Sequence, residues 1–122
     1  MSIEKAAIFR AIAELAYVIA KSEHGISSEE RISFFNIIRE EFSDESWIAQ
    51  SHFEILDEVM HPSLNEAYNT SIFELKKHKI HFTPALKDKA IRVLNRVAES
   101  FNGLGENEAF ILDRLKKDIR NL

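Results

Sequence analysis

The chain contains no cysteine. That excludes disulfides, thiolate zinc centres and cysteine nucleophiles together. Its 122 residues include only three glycines and two prolines, so it has few points at which to turn sharply. Valine is scarce as well, and Ala, Leu, Ile, Glu and Lys dominate, a composition that favours helix throughout. No run of about 18 apolar residues occurs, so no membrane span is expected. The opening stretch has no continuous apolar region either, because Glu4, Lys5, Arg10 and Glu14 interrupt it; it does not read as a signal peptide. Also missing are a Gly-rich phosphate loop, a His-Glu-x-x-His pair, a Gly-x-Ser-x-Gly elbow and an EF-hand loop. The expected compartment is the cytoplasm, and residues 1–122 are expected to form a single domain.

What is present is helical periodicity. Helix one is expected over about 3–22, with Ile8, Ile12, Leu15 and Ile19 as one apolar stripe. Gly25 is read as its stop, taking a positive φ. Ser27 and Glu30 have capping-box spacing and open a second helix to Phe42, whose apolar face is Ile32, Phe35, Ile38 and Phe42. Ser43 and Asp44 open a third, carrying Trp47, Ile48, Ile55, Leu56, Val59 and Met60. His61-Pro62 ends it, since the residue before proline avoids the right-handed helical region. A fourth helix follows from Pro62 or Ser63, with Leu64, Ala67, Tyr68, Ile72 and Leu75 inward. Thr83-Pro84 pairs an N-cap with proline at the first helical position and starts a fifth, ended by Asn102-Gly103. A sixth runs over about 106–120. The nine phenylalanines, Tyr17, Tyr68 and Trp47 all read as core.

Two segments match at an offset of 78 residues. Ala20 to Ile26 aligns with Ala98 to Leu104, Glu30 falls on Glu108 and Ile32 on Phe110. The pattern in each is helix, glycine turn, small apolar residue and acidic helix start. The expected fold is therefore all-α: a compact bundle of about six to seven helices with an internal helix-turn-helix duplication.

Charge is unevenly spread. Residues 40–58 hold seven acids and no Lys or Arg, whereas residues 76–96 hold seven Lys or Arg against Asp88 alone. Two readings stand. The segments are solvated faces that attract each other, within the domain or between copies. Alternatively, Lys76, Lys77, Lys79, Lys87 and Arg92 form an anion-binding or membrane-surface patch. The net charge of −4 argues against nucleic acid as the default partner. The histidines are scattered, and His52 reads as a solvated surface residue.

The stretch Glu23-His24-Gly25-Ile26-Ser27-Ser28-Glu29-Glu30 puts one carboxylate at a helix end and two more in the next helix's first turn. Such a loop can gather oxygen ligands for a hard cation; it can equally be a helix cap and a turn. Here the chain resembles the tellurite-resistance TerB-like family, whose motif near the end of the first helix has the form Asp-Gly-x-Ile-Ser-x-Glu-Glu. Glu23 stands where that Asp does, His24 replaces the Gly, and Ile26, Ser27, Glu29 and Glu30 are in register. In the later copy, Phe101 to Glu108, Phe101 occupies the acidic position, Asn102 offers a neutral oxygen, and Glu108 matches the second Glu. The resemblance spans the chain. It implies a helical bundle, a possible divalent cation held by Glu23, Glu30, Glu108 and Asn102, and a non-enzymatic module. That module would have a protein partner in a stress-response or tellurite-resistance-type complex, with peripheral contact to membrane-associated proteins.

Overall fold

In the computed structural model residues 2–22, 25–100 and 106–122 are described, the side chain of Asn107 excepted. The described residues are mostly helical, with no strand. The elements are α1 (Ile3–Lys21), α2 (Ser28–Phe42), a 3-10 turn (Ser43–Glu45), α3 (Ser46–Ile55), a π turn (Leu56–Met60), α4 (Leu64–Lys77), α5 (Pro84–Ser100) and α6 (Glu106–Arg120).

Caps fix most of the starts. The Ser2 hydroxyl accepts from Lys5 N at 3.1 Å, the Ser63 hydroxyl from Glu66 N at 3.1 Å, and the Thr83 hydroxyl from Leu86 N at 3.3 Å. The capping box of α2 is complete: Glu30 N donates to Ser27 Oγ at 3.1 Å, and Ser27 N donates to Glu30 Oε1 at 2.9 Å. Each cap satisfies amides that the first helical turn leaves over.

The third expected helix is broken into pieces. Ser43 takes φ 51° and a 3-10 turn precedes α3. After Ile55 the ladder widens to a π turn, closed by His61 N donating to Leu56 O at 2.9 Å. The wider turn lets consecutive residues, Leu56 and Asp57, both point inward. His61 then takes a left-handed conformation, φ 47°, and Pro62 follows. Among the described residues the bundle consists of five helices of 14 residues or more and the ten-residue α3, and does not match the expected six to seven helices.

The core is built around α1. It is not the one-stripe helix its leucine and isoleucines suggest: Ala7, Ala11, Ala13, Ala16 and Ala20 are buried as well as Ile8, Ile12, Leu15 and Ile19. A helix apolar all round is a central helix. The alanines let α3, α4, α5 and α6 approach it from several sides.

The duplication is not carried by the packing. α6 lies along α5, whereas the backbone of α2 runs against α5 and α3 rather than against α1. The physical reason is that α2 turns two faces inward. Phe34 and Ile38 meet the core, and Ile37 faces α5.

Gly25 does not stop α1 through a positive φ. The helix closes at Ser22, whose amide bonds Ile19 O at 3.3 Å. Gly25 lies outside the left-handed region, and a Cβ built there meets nothing within 4 Å. Gly25→Ala is therefore expected to raise stability by about 0.4–1 kcal/mol through loss of unfolded-state entropy. A lower midpoint in urea denaturation would contradict it.

Candidate functional site

Contacts along the helices give their directions. Lys5 meets Glu45 at 3.3 Å, Glu14 meets His52 at 2.7 Å and Lys21 meets Asp57 at 3.7 Å. Both segments advance together, so α1 and α3 are parallel. α4 runs against α1, since Ser71 reaches Glu14 at 3.3 Å while Leu64 sits beside Val18. α2 and α5 are antiparallel, with Glu41 on Arg92 and Ser33 opposite Glu99 and Ser100. α6 returns along α5, and Lys87 Nζ donates to Leu122 O at 2.6 Å.

One pole of the bundle therefore collects the ends of α1, α5 and the π turn with the starts of α2, α4 and α6. The described residues that flank both bends of the sequence match, at the ends of α1 and α5 and the starts of α2 and α6, lie at this pole. Glu30 is 5% exposed and Glu108 is 1% exposed, so the two aligned acids are both buried in first helical turns. Ile32 and Phe110, the next aligned pair, are 60% and 70% exposed. Ile32 thus leaves the apolar face on which its spacing placed it. Glu23 and Asn102 lie outside the described residues. Among the described residues, no three acidic or histidine side chains are grouped as ion ligands. One oxygen of Glu30 is already engaged in its cap.

The charge centre of this pole is Asp57. The π turn buries it beside Lys21 and Arg31, and Arg31 also donates to Glu58 at 3.2 Å. Burial, then the charge of Asp57, pushes the Tyr17 hydroxyl above its ordinary pKa. Asp57 escaped the sequence reading because only a π turn brings it inward. Val59 and Met60, apolar residues of the third expected helix, are left on the surface by the same turn.

A second polar cluster lies between α1, α3 and α4. The Glu14 carboxylate accepts from His52 Nε2 at 2.7 Å, and Ser71 Oγ donates to Ala67 O at 2.5 Å. A cavity of about 260 Å³ opens beside them, with Arg10 and Glu74 also on its wall. The carboxylate stands between imidazole and hydroxyl. The serine therefore has no imidazole beside it among the described residues, and the order is not that of a nucleophilic triad. His52 is not the solvated histidine expected. The available signal was Glu14, the one charged residue between Ala11 and Ala20.

The five basic residues of the expected patch separate. Arg92 donates to both oxygens of Glu41 at 3.0–3.1 Å, and Arg96 bonds Glu41 at 3.3 Å and Glu40. Lys87 is held by the chain end. Lys76, Lys77 and Lys79 are exposed around the end of α4. The acidic and basic segments thus meet across α2 and α5. No family model, curated protein or solved structure matches the chain.

The α2–α5 clamp has a pH signature. The hydrogen bonds from Arg92, followed by the charges of Arg92 and Arg96, hold Glu41 below its ordinary value of 4.5 despite its burial. A carboxylate with a depressed folded pKa stabilises the native state above its unfolded pKa. That contribution fades as pH falls through the folded value. Glu41→Gln is expected to flatten the fall in melting temperature below pH 4.5. An unchanged acid limb would remove Glu41 from the account.

Proposed function

We propose that this chain is a non-enzymatic TerB-like module that acts in the cytoplasm by protein contact, within a stress-response or tellurite-resistance-type complex. One observation carries the reading. Across the 78-residue offset, Glu30 and Glu108 share a buried setting and Ile32 and Phe110 an exposed one, at the same pole. Matched burial at matched positions supports kinship of the two bends even though the helices around them pack differently. The same pole exposes Val59 and Met60, and large apolar side chains outside the core are what a protein partner covers. No helix among the described residues is long and apolar enough to cross a membrane.

The test places a photoreactive phenylalanine at Ile32 or Phe110, and at Arg39 on the exposed side of α2 as a control. A discrete cross-linked protein is expected at the pole and not at the control. That protein should bind the purified chain, and Ile32→Asp with Phe110→Asp should abolish binding. Absence of any cross-link at either pole position sinks the reading.

The alternative is a regulatory domain that takes a divalent cation on its acidic turns. The burial of Glu30 and Glu108 at one pole supports it, with Glu23 and Asn102 as further oxygen donors. A ligand bound only by the native state raises the melting temperature by mass action. Titration with calcium, magnesium, zinc and manganese should then give heat and a higher midpoint. Neither response for any of the four metals ends this alternative.

A further inference from the structure

The opposite pole has a different chemistry. It gathers the starts of α1, α3 and α5 with the ends of α2, α4 and α6, and large apolar side chains project from three of these segments. Ile3 is 81% exposed and Ile80 is 87% exposed. Phe73 and Trp47 are also mostly outside.

Ile80 is not loosely placed. The turn after α4 is closed by His81 N donating to His78 O at 2.9 Å and Phe82 N donating to Lys79 O at 3.2 Å. Leu75 before it and Phe82 after it are buried in the core. Two anchors thus hold the turn down while Ile80 points away from the protein. Lys76, Lys77 and Lys79 lie within four residues before it, all exposed and none in an ion pair among the described residues. Among the acids of this pole, Glu45 faces Lys5 at 3.3 Å, and Glu74 stands 3.6 Å from His78. The pole also holds Glu4, Asp44 and Asp88, together with Glu40 and Glu41 bound by Arg96 and Arg92, while Asp118, bonded by Tyr68, lines a recess with Lys76. The lysines also complement the negative end of α4, but that accounts for neither Ile80 nor Phe73.

We infer that this pole docks on an anionic lipid bilayer. Ile80 and Phe73 enter the interface, and Lys76, Lys77 and Lys79 contact the headgroups. The shape and the charge favour a bilayer over a protein groove. The apolar groups form separate projections, which a fluid interface accommodates without a matching cavity. Lysines beside a short apolar tip combine the two attractions that peripheral binding needs, since neither suffices alone. The inference goes beyond the protein contact proposed for the other pole and does not rest on it.

The experiment is co-sedimentation of the purified chain with phosphatidylglycerol-rich vesicles and with phosphatidylcholine vesicles. Binding is expected to the first only, and to weaken as salt is raised. Trp47 is the sole tryptophan, so its emission reports on this pole directly; a blue shift with the anionic vesicles is expected. Lys76→Gln, Lys77→Gln and Lys79→Gln together should lower partitioning on the order of 100-fold, and Ile80→Ser alone about tenfold. These positions are exposed, and circular dichroism verifies that each variant remains folded. Three results overturn the inference: no binding to anionic vesicles, binding that the lysine variant retains in full, or self-association of the chain that Ile80→Ser abolishes.

Discussion

Phe53→Ala is expected to lower stability by about 3–5 kcal/mol, the range for deleting a fully buried phenylalanine. Phe53 is the point where three helices meet. Its ring stacks on Phe34 of α2 with centroids 4.0 Å apart, while Tyr17 of α1 and Phe35 of α2 approach at 6.2 and 6.4 Å in edge geometry. Truncation removes all three ring contacts at once. The surrounding helices are tied by ion pairs at Lys5, Glu14 and Lys21, so they cannot collapse freely into the space. A domain of this size holds about 5–15 kcal/mol in total, so the loss is a large share of it. Trp47, on the same helix, is mostly exposed, and Trp47→Ala should change stability by less than about 1 kcal/mol. Urea denaturation of the two variants makes the comparison. Equal losses would mean that α3 does not pack against α1 and α2 through Phe53.

That contrast shows where the sequence is legible. Helix starts could be read because their chemistry is local. Ser27 with Glu30, and Thr83 with Pro84, each place the needed groups within a few residues, and both starts appear where expected. Facing was harder. Trp47, Ile55, Val59 and Met60 are apolar residues in a helical stretch, yet all four are exposed, because a 3-10 turn and a π turn reset the helical phase on either side of α3. Ile32, Phe73 and Phe110 are exposed for another reason: periodicity identifies an apolar side but not whether a neighbouring helix covers it. The Glu14–His52 contact joins residues 38 apart, so no local spacing reveals it. The lone acid in the apolar run of α1 was the readable half. The acidic bends were found from their own residues, whereas Asp57 reaches the same pole only through the π turn.

The asymmetry around Asp57 gives the second large effect. Arg31→Leu is expected to cost about 2–4 kcal/mol, because it leaves a buried carboxylate with Lys21, at 3.7 Å, as its remaining partner. Asp57→Leu should cost less. Its partner Arg31 is half-buried and also bonds Glu58, so the guanidinium can turn toward water, where a stranded charge is cheap to solvate. Among the described residues, the buried Arg31 Nε has no hydrogen-bond partner. Replacing both residues with leucine removes the buried charge together with its counter-ion, and should recover much of what Arg31→Leu alone loses. A double-mutant cycle by chemical denaturation measures the coupling. Should Arg31→Leu prove no costlier than Asp57→Leu, the carboxylate in the π turn is solvated well enough to do without the arginine. The pole where α1 and α5 end would then be held by apolar packing and helix caps instead of by this charge cluster.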